Sequence, residues 1–165
     1  MTAKRDEVDQ LVAAWQRERP DLDVEPMHVL SRVTRLARHL DLARKSAFSE
    51  HSLESWEFDV LTALRRAGDP HTLSPGRLLR ETMVTSGTMT NRVDRLAAKG
   101  LVERLPDPDD RRGVLVRLTD SGRIRVDAAL EGLLAQERLL LAELTDDQRS
   151  SLAALLRTVV APFDR

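Results

Sequence analysis

The spacing of apolar residues changes once along this chain, and that change restricts the fold. Over most of the 165 residues the apolar side chains recur at intervals of three and four, the spacing of one helix face. Between Leu101 and Leu118 the pattern switches. Leu101-Val102-Glu103-Arg104-Leu105 and Val114-Leu115-Val116-Arg117-Leu118 read as two short strands. The segment between them, Pro106-Asp107-Pro108-Asp109-Asp110-Arg111-Arg112-Gly113, is dense in turn formers. One β-hairpin with a charged tip, set into a mainly α chain, is the expected architecture.

Proline, glycine and capping residues divide the rest into helices. Val8, Leu11, Val12 and Trp15 share one face of a first helix that Pro20 ends. A long second helix follows Pro26 through Val33, Leu36 and Leu40. Trp56, Val60, Ala63 and Leu64 mark a third, stopped by Gly68 and Pro70. Ser74-Pro75 caps a short fourth, and Thr85 or Ser86 caps a fifth that runs through Met89, Val93 and Leu96 to Gly100. Past the hairpin, Thr119 caps a long sixth helix, and the capping box Thr145-Asp146-Asp147-Gln148 opens a seventh. A fourth and fifth helix joined by a tight turn and followed by a hairpin make a winged helix-turn-helix. A helix fits the major groove of DNA, and an arginine-tipped hairpin reaches the adjacent minor groove.

Composition excludes several other chemistries. There is no cysteine, which removes disulfides, thiolate nucleophiles and thiolate metal sites. Aromatics are 3% with no tyrosine, which argues against a carbohydrate cleft or a base-stacking sheet. No apolar run approaches the ~20 residues of a membrane span. The start of the chain lacks a signal core, so a cytoplasmic location is expected. His28, His39, His51 and His71 show no metal-ligand spacing, and Asp107, Asp109 and Asp110 lack the glycine and terminal glutamate of a calcium loop. No nucleophile-and-base pair is evident, so no enzyme, cofactor or metal is expected. The net charge of −1 rules out binding to nucleic acid through bulk charge, but a local basic surface remains open.

Opposite its apolar stripe the fifth helix carries Ser86, Thr88, Thr90, Asn91 and Arg95. These side chains suit base edges and phosphates, and Arg111 and Arg112 suit the wing tip. Two charges, Asp59 and Arg92, sit where the helix periods predict core, and burial there demands a partner. They are expected to approach each other or to share a polar pocket behind the recognition helix. A purely structural ion pair is the plainer account of that arrangement. The leucine-rich terminal helices, with Pro162-Phe163, carry more apolar surface than one winged motif buries. A symmetric pair covers it; packing within one chain is the alternative.

Asp110-Arg111-Arg112-Gly113 through Val116-Arg117-Leu118-Thr119-Asp120-Ser121-Gly122 resembles the wing signature of the MarR family of bacterial transcription regulators. Thr90-Asn91-Arg92-Val93-Asp94-Arg95-Leu96 and Lys99-Gly100-Leu101-Val102-Glu103-Arg104 resemble its recognition helix and first wing strand. The resemblance implies one domain over residues 1–165, with the winged motif over about 54–118 and dimerisation helices over about 7–48 and 120–165. It implies a cytoplasmic homodimer that binds a double-stranded, pseudo-palindromic operator as a repressor. The added first helix and the set Trp15, Asp59, Arg92 and Arg104 are similar to the branch that includes HucR, PecS and TamR, in which such residues line a pocket for a small anion. Glu18-Arg19-Pro20-Asp21-Leu22-Asp23 and Val84-Thr85-Ser86-Gly87-Thr88-Met89-Thr90 resemble TamR-like members, which implies an effector of citrate or aconitate type, with urate as the other branch ligand. The competing expectation is a winged-helix protein-interaction adaptor that does not read DNA.

Overall fold

The computed structural model describes residues 5–108, 110 and 113–163, so the wing-tip residues Asp109, Arg111 and Arg112 lie outside the described residues. Seven helices are described: α1 (Glu7–Glu18), α2 (Met27–Ser49), α3 (Ser55–Arg66), α4 (Pro75–Thr82), α5 (Ser86–Ala98), α6 (Asp120–Leu140) and α7 (Asp146–Val160). Three strands accompany them: β1 (Thr72–Leu73), β2 (Val102–Pro106) and β3 (Val114–Leu118). The caps fall where the sequence places them. The hydroxyls of Ser74, Thr119 and Thr145 accept from the backbone N–H of Arg77, Gly122 and Gln148. The chain divides into two compact units, residues 1–43 and 44–165. Among the described residues no helix is long and apolar enough to cross a membrane.

In the first unit, Val8 and Val12 of α1 pack with Val24 and Met27. Ion pairs fasten α1 along α2: the Arg32 guanidinium binds Asp6 at 2.9 Å and Asp9 at 2.8 Å, and Arg35 pairs with Glu7. Asp6 is the N-cap of α1, and the Asp9 backbone N–H that its carboxylate accepts, with the Arg32 guanidinium, holds that carboxyl below its ordinary range.

The second unit is built on one core. Phe48 and Phe58 stack at 4.0 Å, and Val60, Leu61, Leu64, Leu78, Met89, Val93, Leu96, Leu101, Val116 and Val126 are buried around them. The hairpin expected from the period switch is present, with Val102 opposite Leu118 and Pro106 opposite Val114. A strand that the sequence reading lacked, β1, adds to the other edge of β3, giving the antiparallel order β1-β3-β2. Between α4 and α5 the chain turns through Met83, which adopts φ 53°, a left-handed conformation that a side chain disfavours.

Where β3 passes into α6 the backbones come close. Thr119 donates its N–H to the Leu101 carbonyl at 3.1 Å and its hydroxyl to the Gly100 carbonyl at 2.8 Å. A Cβ on Gly122 would stand 2.1 Å from the Leu101 oxygen, so only glycine fits. This gives the Gly122 of the wing signature a physical reason. Gly122→Ala is expected to lower the unfolding free energy by about 1–3 kcal/mol in urea denaturation. Gly132→Ala, in the same helix, meets nothing nearer than 3.8 Å and should be neutral or stabilising, by up to about 1 kcal/mol.

Candidate nucleic-acid interface

Helix α5 is held by a narrow stripe. Met89, Val93 and Leu96 are buried, and Ser86, Thr88, Thr90, Asn91 and Arg95 are exposed on the remaining surface, as their residue types require. Thr85 occupies the N-cap, but its hydroxyl pairs with that of Thr88 at 2.9 Å and caps no backbone N–H. The first-turn N–H groups of α5 therefore have no side-chain cap, and they favour an anion such as a phosphate oxygen. With Glu54 and Trp56, residues Thr88, Asn91, Arg92 and Arg95 line an open groove of about 550 Å³.

The buried charge in α3 is Glu57, and Asp59 is exposed. Glu57 has no exposed surface, and Lys99 at the C-cap of α5 places its ammonium 2.6 Å from the carboxylate. Its other oxygen accepts the Glu54 backbone N–H at 3.0 Å. One carboxylate thus fixes the start of α3 and the end of the recognition helix. The side chain of Asp59 is 49% exposed and meets Arg44 at 3.4 Å. The sequence stripe ran Trp56, Val60, Ala63, Leu64; including Phe58 and Leu61, both buried, turns the face so that Glu57 lies inside and Asp59 outside. The expected approach of Asp59 to Arg92 is absent. Arg92 is half-buried, with its guanidinium 5.4 Å from the Trp56 ring.

Arg104, on β2, binds Asp94 of α5 at 2.7 Å, so the wing strand is tied to the recognition helix by this pair. Trp15 belongs to the first unit and is 44% exposed. No hydrogen bond or ion pair among the described residues links Asp59, Arg92 and Arg104 to one another. Glu54, Trp56 and Lys99 are not among the site residues that the sequence suggests. The spacing Glu54-x-x-Glu57 at the start of α3 was the signal available for the first of them.

Removing Lys99 should expose the cost of the buried carboxylate. Lys99→Met is expected to lower unfolding free energy by about 1–3 kcal/mol, less than a fully buried pair because the lysine is partly solvated. Adding Glu57→Gln to that variant should recover part of the loss, read by urea denaturation of both proteins.

Residues 51–113 match the model of the MarR family. The chain is 39% identical over 153 residues to the HTH-type transcriptional regulator PecS of Dickeya dadantii, covering 93% of this chain and 92% of that protein. It is 33% identical over 143 residues to the HTH-type transcriptional repressor NicR of Pseudomonas putida, covering 84% and 89%. Among solved structures it is similar to a mutant MarR from E. coli complexed with operator DNA, with a TM-score of 0.67 and 31% identity, covering 84% of this chain and 99% of that one. The family and these relatives are transcription regulators, not enzymes, and dimers are typical of the family. This chain, with its hairpin wing and its outward-facing polar helix, belongs to the MarR family of winged helix-turn-helix transcription regulators.

Proposed function

We propose that the chain is a repressor that binds a pseudo-palindromic operator as a homodimer and is released from it by a small anionic metabolite of citrate, aconitate or urate type. The observation that carries the DNA-reading part is the face of α5. Its short hydrogen-bonding residues and Arg95 stand clear of the core over a helix long enough to lie in a major groove. The solved relative on operator DNA supports that reading. Exposed acidic or apolar residues on the same face would suit an adaptor, and its leading half carries Ser86, Thr88, Thr90 and Asn91 instead.

Dimerisation is supported by apolar surface that one chain leaves uncovered. The first two-thirds of α6 packs into the core through Val126, Ala129 and Leu133. Beyond it Leu134, Leu139, Leu140 and Leu141 are exposed, and α7 buries none of its residues, with Leu155, Leu156, Val159 and Val160 open. A two-fold pair would cover this surface and set two recognition helices about one DNA turn apart.

In this assignment Ser86 and Thr88 serve phosphates, Thr90, Asn91 and Arg95 serve base edges, and Arg111 and Arg112 serve the minor groove and backbone. Operator affinity then falls steeply with salt. In gel shifts, Arg111→Ala and Arg112→Ala should weaken operator and random duplex alike, while Asn91→Ala should relax sequence preference, by about 1–3 kcal/mol at one base position. Equal losses on both duplexes for all three variants would contradict the division.

Within the second unit, the effector residues in this proposal are Asp59, Arg92 and Arg104. An anion that draws Arg104 away from Asp94 would release the tie between β2 and α5, and so act through different affinities for the bound and released shapes. A coupling of ~1–3 kcal/mol weakens operator binding several-fold to a hundred-fold. The test is a gel shift on the DNA upstream of the protein's own coding sequence, with citrate, aconitate and urate titrated in. Arg104→Ala and Asp59→Asn should blunt release by the active acid while leaving the dimer folded. An undiminished response in both would remove these residues from the effector site.

A further inference from the structure

Arg95 is already held in a built cradle before any DNA is present. Its Nη2 donates to Glu54 Oε1 at 2.8 Å, and its guanidinium carbon lies 4.7 Å from the centre of the Trp56 ring. The second oxygen of Glu54 accepts from Trp56 Nε1–H, also at 2.8 Å. Both carboxylate oxygens are thus occupied, and the Trp56 N–H, then Arg95, hold the carboxyl below its ordinary range. The cradle is itself anchored, because the Glu54 backbone N–H is bound by buried Glu57, which is paired to Lys99 at the far end of α5.

This arrangement has a chemical consequence. A guanidinium presents five N–H donors in a rigid planar fork. Glu54 engages one nitrogen and the guanidinium lies over the Trp56 ring, so Arg95 keeps N–H donors that this pair leaves for another partner. The Arg95 side chain is 51% exposed. An arginine in this state has less rotamer freedom left to lose on meeting a base than one free in solvent.

We propose that Glu54 is a positioning residue for sequence readout: with Trp56 it orders the Arg95 fork for one base position in each half-site. Glu54 touches no DNA in this account and acts through Arg95. The inference rests on the DNA-reading conclusion above and goes further by naming the residues that set the selectivity of one contact. The opposite role, in which the carboxylate competes with DNA for the arginine, is a distinct outcome of the same experiment.

The test is selection of duplexes from a random-sequence library by the full-length wild type and by Glu54→Gln, Arg95→Ala and the double variant. Gln keeps the size of the side chain and removes its charge. Arg95→Ala should flatten one position per half-site, with preference falling roughly tenfold, and Glu54→Gln should flatten that same position roughly threefold, leaving the others sharp. The double variant should match Arg95→Ala, because the two act as one unit. Trp56→Phe, which keeps the ring and loses the N–H, should give the same pattern as Glu54→Gln more weakly.

Several results would overturn the inference. One is an unchanged profile in Glu54→Gln, and another is flattening of every position to a similar extent, the mark of a general structural role. A third is tighter binding by Glu54→Gln to operator and random duplex, the mark of competition. An Arg95→Ala profile like that of the wild type would also overturn it. If the wild-type chain enriched no sequence at all, the DNA-reading conclusion would fall together with this inference; a wild-type-like Arg95→Ala profile would also remove Arg95 from the base-edge assignment, and each of the remaining results overturns this inference alone.

Discussion

The recognition helix is secured by three buried side chains, Met89, Val93 and Leu96, and by one buried carboxylate, Glu57, that grips Lys99 at its end. This small attachment makes the rest possible. A stripe of three residues leaves most of a 13-residue helix outside the core. The exposed part can therefore carry residues chosen for what they bind and not for how they pack. Burial of the stripe fixes the rotation of the helix about its axis, and Glu57 with Lys99 restrains it at one end. A buried carboxylate is a costly way to restrain a helix, since its desolvation must be offset by its partners. Here the ammonium of Lys99 and the backbone N–H of Glu54 supply that offset.

Around this helix, polar links connect it to its neighbours. Arg104 joins β2 to Asp94, Glu54 joins the start of α3 to Arg95, and Trp56 lies against both Arg92 and Arg95. These links are largely solvated and individually modest. Their value lies in geometry, since each constrains a side chain or a strand at the face that meets other molecules.

Much of this was legible from local signals. Ser74, Thr119 and Thr145 marked helix starts because capping is a short-range contact that leaves a short-range pattern. The hairpin was legible because its alternation and its turn lie within one stretch of chain. Strand β1 was not, since two residues carry no period and their pairing with β3 is distant in sequence. The exposure of Asp59 has a different reason. Helix α3 buries six residues on a wide face, and a stripe drawn through four apolar residues that omitted Phe58 and Leu61 pointed the wrong way. Glu57 was hidden because a charged residue on a helix is ordinarily read as solvated, and its burial depends on a lysine more than forty residues later. The physical role of Gly122 depends on the approach of the Leu101 carbonyl, which appears only when the chain is folded.

The central claim is that two copies of this chain together present two such helices to one duplex. Its most direct measurement is protection of guanine N7 from methylation on a selected duplex, paired with the mass of the complex by sedimentation. The account predicts two chains per duplex and two protected major-groove segments centred about 10 base pairs apart. One chain per duplex, or guanines that stay reactive throughout the bound site, would contradict it.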